Sequence, residues 1–190
     1  LNNSGPEIWM NTMSAEQTRV SYENVRVNLE LSWRFYQMSE VINNMKTRRS
    51  IRKYKPDMIP EETLEQIVRA GTYAATGMGK QSPIIIAVTN KEIRDKFSKM
   101  NAEIMGVDSD PFYGAPVVLI VLADKARPTY VYDGSLVMGN LMLAAHEEGI
   151  GSCWIHRAKE EFESAEGKAF LKSLGIEGDY EGIGHCVLGY

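Results

Sequence analysis

Cysteine is nearly absent from this chain. Cys153 and Cys186 are the only two in 190 residues, too few for a disulfide framework and spaced for neither a C-x-x-C redox pair nor a paired zinc motif. A reducing, cytoplasmic setting is the expectation. Long apolar runs are missing as well: no stretch reaches the roughly 18 residues of a membrane-spanning helix, and the N-terminus lacks the charged, apolar and small-residue order of a signal peptide. No membrane association is expected. Basic charge is not in surplus, since 21 Lys and Arg stand against 25 Asp and Glu for a formal net charge of −4, whereas nucleic-acid binders carry a basic excess. No nucleic-acid partner is expected. Histidine numbers three; His185 and Cys186 are neighbours in an expected strand and would point to opposite faces, so no metal site is expected. With so few histidines, no Ser-His-Asp or Cys-His arrangement can be argued.

What is present is enough length for one domain with a sizeable core, domains commonly running to about 100–200 residues. Residues 1–37 differ from the rest. An aperiodic start is followed by Val25, Val27, Leu29, Leu31, Trp33 and Phe35 alternating with polar residues, the period of a half-buried strand. Met38 then opens a stretch that looks like an ordinary protein start. Two readings stand: residues 1–37 are a leader or fusion remnant, or they are an arm that docks on a domain spanning residues 38–190.

Within that domain helical and strand patterns alternate. After Pro60 an acidic first turn opens a helix with Leu64, Ile67, Val68 and Gly71 on one face, ending near Gly77 and Gly79. Residues 84–89, IIIAVT, form a short buried strand; residues 90–105 resume helical spacing, and residues 115–124, APVVLIVLAD, form a second buried strand. Residues 131–146, VYDGSLVMGNLMLAAH, are apolar or small nearly all round a helical wheel. Such a helix needs cover on every side, which a subunit interface supplies. A strand over residues 149–155, a polar helix over 159–174 and a last strand over 183–190 complete an α+β or α/β pattern of helices around a sheet.

Three motifs carry chemistry. Residues 46–54 read KTRRSIRKY. Arg48, Arg49 and Arg52 with Ser50 could hold a phosphate through paired, charge-assisted hydrogen bonds; the plainer reading is a solvated basic stretch. Residues 77–82, GMGKQS, look like a phosphate loop but put Ala74 and Gln81 where a P-loop needs Gly and Ser or Thr, so nucleotide triphosphate binding is rejected. What is left is a helix-to-strand loop whose backbone can approach a ligand and whose Lys80 and Gln81 carry polar groups to it, or a mere turn. The stretches EGIGSCWIH and EGIGHCVLGY lack the third glycine of a dinucleotide fingerprint.

Taken in order, RRSIRKY, ATGMGKQSP before a buried strand, YDGSLVMGNLMLAAHEEGIGSCWI and a closing GHCVLGY resemble the FMN-dependent nitroreductase family over residues 38–190. The resemblance implies an α+β fold with a central, mostly antiparallel sheet surrounded by helices, and a homodimer whose two FMN clefts lie at the shared interface. It assigns Arg48, Arg49, Ser50 and Arg52 to the phosphate and ribityl chain. Thr76, Gly79, Lys80 and Gln81 would face the isoalloxazine, reaching from one subunit to a flavin held largely by the other, while backbone of Ile150, Gly151 and Ser152 would lie near its reactive edge. Many relatives carry Asn followed by Q-P-W in the loop; here Gly79 stands for that Asn, and Ser82 and Pro83 follow Gln81. The family pattern usually runs on past the LGY strand into a tail with a further basic phosphate ligand. The expectation here is that Arg48 and Arg52 carry more of that binding, and that the arm at residues 25–35 substitutes as a strand.

The implied function is an FMN-dependent NAD(P)H oxidoreductase passing reducing equivalents to nitroaromatic, quinone or similar small-molecule acceptors by a ping-pong flavin mechanism, with NADH or NADPH as reductant. No catalytic side chain is named, because the flavin carries the chemistry. The alternative is a non-catalytic flavin-binding or flavin-modifying protein of the same fold.

Overall fold

The computed structural model describes residues 39–190; the extension at 1–37 and its alternating stretch lie outside them. At the centre is β2 (Val117–Asp124), whose run of Val, Leu and Ile reflects cover on both faces. Val117, Leu119, Val121 and Ala123 belong to one apolar cluster and Val118, Ile120 and Leu122 to another. Around it, β1 (Pro83–Val88), β3 (Gly151–Ile155) and β4 (Tyr180–Gly189) complete a four-stranded sheet in the order β1-β2-β4-β3, each neighbouring pair antiparallel.

Helices fill both faces. Helix α2 (Glu61–Thr72) and helix α4 (Tyr130–Glu147) bring Leu64, Ile67, Val137, Met138 and Leu141 onto the first face. On the second, α3 (Lys91–Met105), α5 (Ala158–Glu163) and α6 (Ala165–Ser173) contribute Phe97, Met100, Phe162 and Leu171. The expected opposition of neighbours in β4 holds: Cys186 packs in the first cluster, while His185 lies against the rings of Phe97 and Phe112 of the second. Helix α3 is bounded as its ends dictate. Asn90 accepts the Ile93 N–H at 3.0 Å, and Gly106 closes it in the left-handed region at φ 74°, the usual glycine stop.

Three expectations need correction. The polar helix over 159–174 is two helices, because Ser164 is extended (φ −68°, ψ 158°); its hydroxyl donates to the Glu161 carbonyl and accepts the Gly167 N–H, ending one helix and capping the next. Helix α2 stops at Thr72, short of the loop glycines. The last strand starts at Tyr180, because β2 continues past an irregularity at Val121/Leu122 and pairs with residues 180–182. A helix not foreseen, α1 (Glu40–Thr47), precedes the basic stretch and buries none of its residues.

Candidate functional site

The basic stretch is placed by α1 and by an edge strand. Helix α1 docks on the C-terminal end of α4, where the Asn44 amide donates to the Leu143 carbonyl at 3.2 Å and to Glu147 at 2.6 Å. The Thr47 hydroxyl lies 2.9 Å from His146 Nε2. The chain then runs beside β3 in parallel: Ser50 bridges Ser152, and the Ile51 N–H donates to the Ser152 carbonyl at 2.9 Å. Gly151 permits this approach, since a Cβ there would sit 3.2 Å from Ile51 Cβ and 3.1 Å from the Gly189 carbonyl oxygen. Ser50, two residues after Arg48, is thus brought against Gly151 and Ser152 at one sheet edge.

Within that group the polar atoms are not all satisfied. Arg48 Nη1 and Ser152 Oγ are buried without a hydrogen-bond partner. Buried guanidinium nitrogens are costly unless they meet an acceptor, so this corner suits an anion. Burial pushes the Cys186 thiol up to about 12, with Cys153 adding to the rise and the Arg48 guanidinium opposing it. Arg49 turns elsewhere, donating to the carbonyls of Lys46 and Arg48 at 2.7 and 2.8 Å, where it caps the carbonyl end of α1. Arg52 is exposed. Ile150 is buried in the first apolar cluster and its N–H donates to Ala145 at 2.8 Å, so that amide is not available to a ligand.

The second group lies elsewhere. Residues 77–79 form a single 3-10 turn. The Gly77 N–H donates to Asp133 Oδ1 at 3.0 Å, and the Gln81 N–H donates to Thr76 Oγ at 3.1 Å. Met78, Gly79 and Gln81 have φ of 54°, 65° and 51°, and Met78, Gly79, Lys80 and Gln81 are exposed. This is a cross-tied loop, not a slack turn. Beside it a cavity of about 310 Å³ is lined by Val68, Thr72, Thr76, Gln81, Ile85 and Val137.

Within one chain the two groups do not meet. The loop rests on the first turn of α4 through Asp133, whereas the basic stretch follows the helix that docks near Leu143 and His146. Thirteen residues at 1.5 Å each separate those anchor points by about 20 Å. Within the single chain α4 keeps part of its surface uncovered, the cover its composition demands being the part expected from a subunit interface: Tyr132 is 72% and Leu136 51% exposed, and a Cβ on Gly139 would meet nothing within 4 Å. Sequence reasoning missed Asp133 and its partner Thr129. The available signal was a lone carboxylate in the first turn of an otherwise apolar helix.

The sequence model of the nitroreductase family matches residues 45–190. A protein of Methanothermobacter thermautotrophicus, provisionally named NADH dehydrogenase/NAD(P)H nitroreductase, is 30% identical over 141 residues, which is 70% of this chain and 68% of that protein. One from Archaeoglobus fulgidus with the same provisional name is 31% identical over 158 residues, 80% of this chain and 86% of the other. Among solved structures, a nitroreductase with bound FMN from Bacteroides fragilis superposes with a TM-score of 0.72 at 30% identity, covering 80% of this chain and 89% of its own.

Proposed function

The chain belongs to the nitroreductase family, and from that membership we propose that it is an FMN-dependent NAD(P)H oxidoreductase acting as a homodimer. The observation that carries the reading is the partnerless, buried Nη1 of Arg48 beside the edge strand. An FMN phosphate is the acceptor it suits, because a guanidinium holds phosphate through directed, charge-assisted bonds. Ser50 and Ser152 add hydroxyls to the same edge, and the exposed Arg52 adds long-range attraction. Arg49 serves this site indirectly, by fixing the end of α1.

The 20 Å separation along α4 supports the dimer. Two copies related by a two-fold axis, with the exposed faces around Leu136 together and the helices antiparallel, would bring the loop end of one α4 to the arginine end of the other. Lys80 and the backbone of the loop would then complete the site from the second subunit. Positive groups and N–H donors held there favour a reduced, anionic cofactor. When bound, FMN supplies the redox chemistry, taking reducing equivalents from NADH or NADPH and passing them to an acceptor. Nitroaromatics and quinones are the acceptor class proposed, with reductant and acceptor using the same face in turn, a ping-pong order. No side chain of this chain is assigned a proton transfer.

Purification followed by an absorbance scan tests the reading. A yellow protein, or one that takes up added FMN, should lose its flavin absorbance anaerobically on addition of NADH or NADPH and regain it with a quinone. Protein that stays colourless with excess FMN would overturn the assignment. Retained flavin that neither nicotinamide bleaches would favour the non-catalytic flavin-binding alternative.

A further inference from the structure

We propose that Asp133 is a positioning residue, whose buried carboxylate sets the conformation in which residues 77–81 meet the cofactor across the subunit boundary. The inference rests on the flavin-binding reading above. Asp133 is 3% exposed and is a charge that the proposed redox chemistry does not use. A carboxylate in the first turn of a helix is favoured by the helix dipole, yet burial demands donors for its oxygens. It has two: the Gly77 N–H on Oδ1 and the Thr129 hydroxyl on Oδ2, each at 3.0 Å.

Those bonds constrain the loop in two ways. First, they admit no side chain at residue 77. A Cβ there would lie 2.2 Å from the Thr129 oxygen, and that hydroxyl can retreat only by giving up Asp133. Second, they supply the outside anchor. The other bonds of the loop are local, from Gly79 and Lys80 to the carbonyls of Thr76 and Gly77 and from Gln81 to the Thr76 hydroxyl. Among the described residues, the bond to Asp133 is the one that ties this turn to another element. Left-handed conformations at Met78 and Gln81 are sparsely populated by L residues and persist where the surroundings over-determine them. Asp133 therefore presets the loop on each subunit before the cofactor arrives, which lowers the ordering cost of binding.

Three variants separate this role from a merely structural one. Asp133→Ala leaves the Gly77 N–H without an acceptor, and the Kd for FMN should rise roughly tenfold, the effect expected of a buried donor deprived of its partner. Asp133→Asn keeps an oxygen for Gly77, and the Thr129 hydroxyl can turn to accept from the amide; FMN affinity should return to within about threefold of the parent. Gly77→Ala should imitate Asp133→Ala while leaving α4 intact, which keeps the test alive if Asp133→Ala fails to fold. Parent-like FMN binding by Asp133→Ala or by Gly77→Ala would overturn the proposal, as would an Asp133→Asn variant as weak as the alanine. Amide hydrogen exchange over residues 77–81, measured without FMN, decides independently of the flavin reading. Protection lost in Asp133→Ala and kept in Asp133→Asn supports positioning; equal protection in both overturns it. A parent that binds no FMN would instead sink the proposed function and leave the exchange result to judge Asp133.

Discussion

Arg48 and Asp110 show how differently two charged residues serve the same molecule. Arg48 keeps a buried nitrogen with no acceptor, and the role proposed for it is to bind the cofactor phosphate. Replacing Arg48 with Ala is expected to weaken FMN retention by about tenfold or more, and adding Arg52→Ala should weaken it further; fluorescence titration measures both, and unchanged occupancy in the double variant would remove the phosphate assignment. Lys at position 48 should not restore binding, since it lacks the planar fork. Asp110 instead gathers donors from within the chain. Burial works to raise its pKa, but bonds from Arg94 and Ser98 and from the Gly114 and Phe112 amides outweigh it and hold the carboxyl below the usual carboxylate range. A depressed folded pKa means stability that is present above the ordinary carboxylate pKa and lost as pH falls through the folded value. Asp110→Asn should therefore lower Tm by a few degrees at neutral pH, and the gap from the parent should narrow as pH drops below about 4. Melting curves that stay equally far apart down to strong acid would contradict this account.

At the scale of elements, Ser164 makes two helices out of one helical pattern. Its hydroxyl serves both the Glu161 carbonyl and the Gly167 amide. Ser164→Ala is expected to cost about 1 kcal/mol, and Ser164→Gly only a few tenths, as read from urea midpoints; equal midpoints for Ala and parent would mean the cap contributes nothing. The break was not legible because a serine in a periodic stretch gives the same local pattern whether it caps or continues a helix. Where local period and burial coincide, reading succeeded: β1, β2, α3 and α4 fall within a residue or two of their expected places, since the apolar residues that set the pattern are those that pack. It fell short where a distant partner decides. The first residues of β4 are strand because β2 runs on beside them, and the turn at 77–79 is tied to α4 because Asp133 accepts the Gly77 N–H. Composition left the arginine cluster readable as a phosphate site or as a solvated basic stretch, and it did not divide the labour among its members. Nothing local distinguishes Arg48, turned inward with a partnerless nitrogen, from Arg49, turned onto backbone carbonyls.

For the molecule as a whole, the exposed strip of α4 is the feature to test. Leu136 is half exposed in the single chain, so Leu136→Glu should leave folding nearly unchanged yet bury an unpaired carboxylate in the proposed dimer. Sedimentation should then show monomers, and FMN should be lost with the dimer; a monomer that retains FMN would disprove the shared site. The distance between the two ends of α4 also has a consequence in the language of complementation. A chain bearing Arg48→Ala is damaged at one end, and a chain bearing Gly77→Ala at the other. Neither homodimer should hold flavin well. In a mixed dimer, however, one cleft inherits both lesions and the other inherits none. Co-refolding the two weakly binding proteins in equal amounts should thus restore about a quarter of the sites to parental affinity by random pairing.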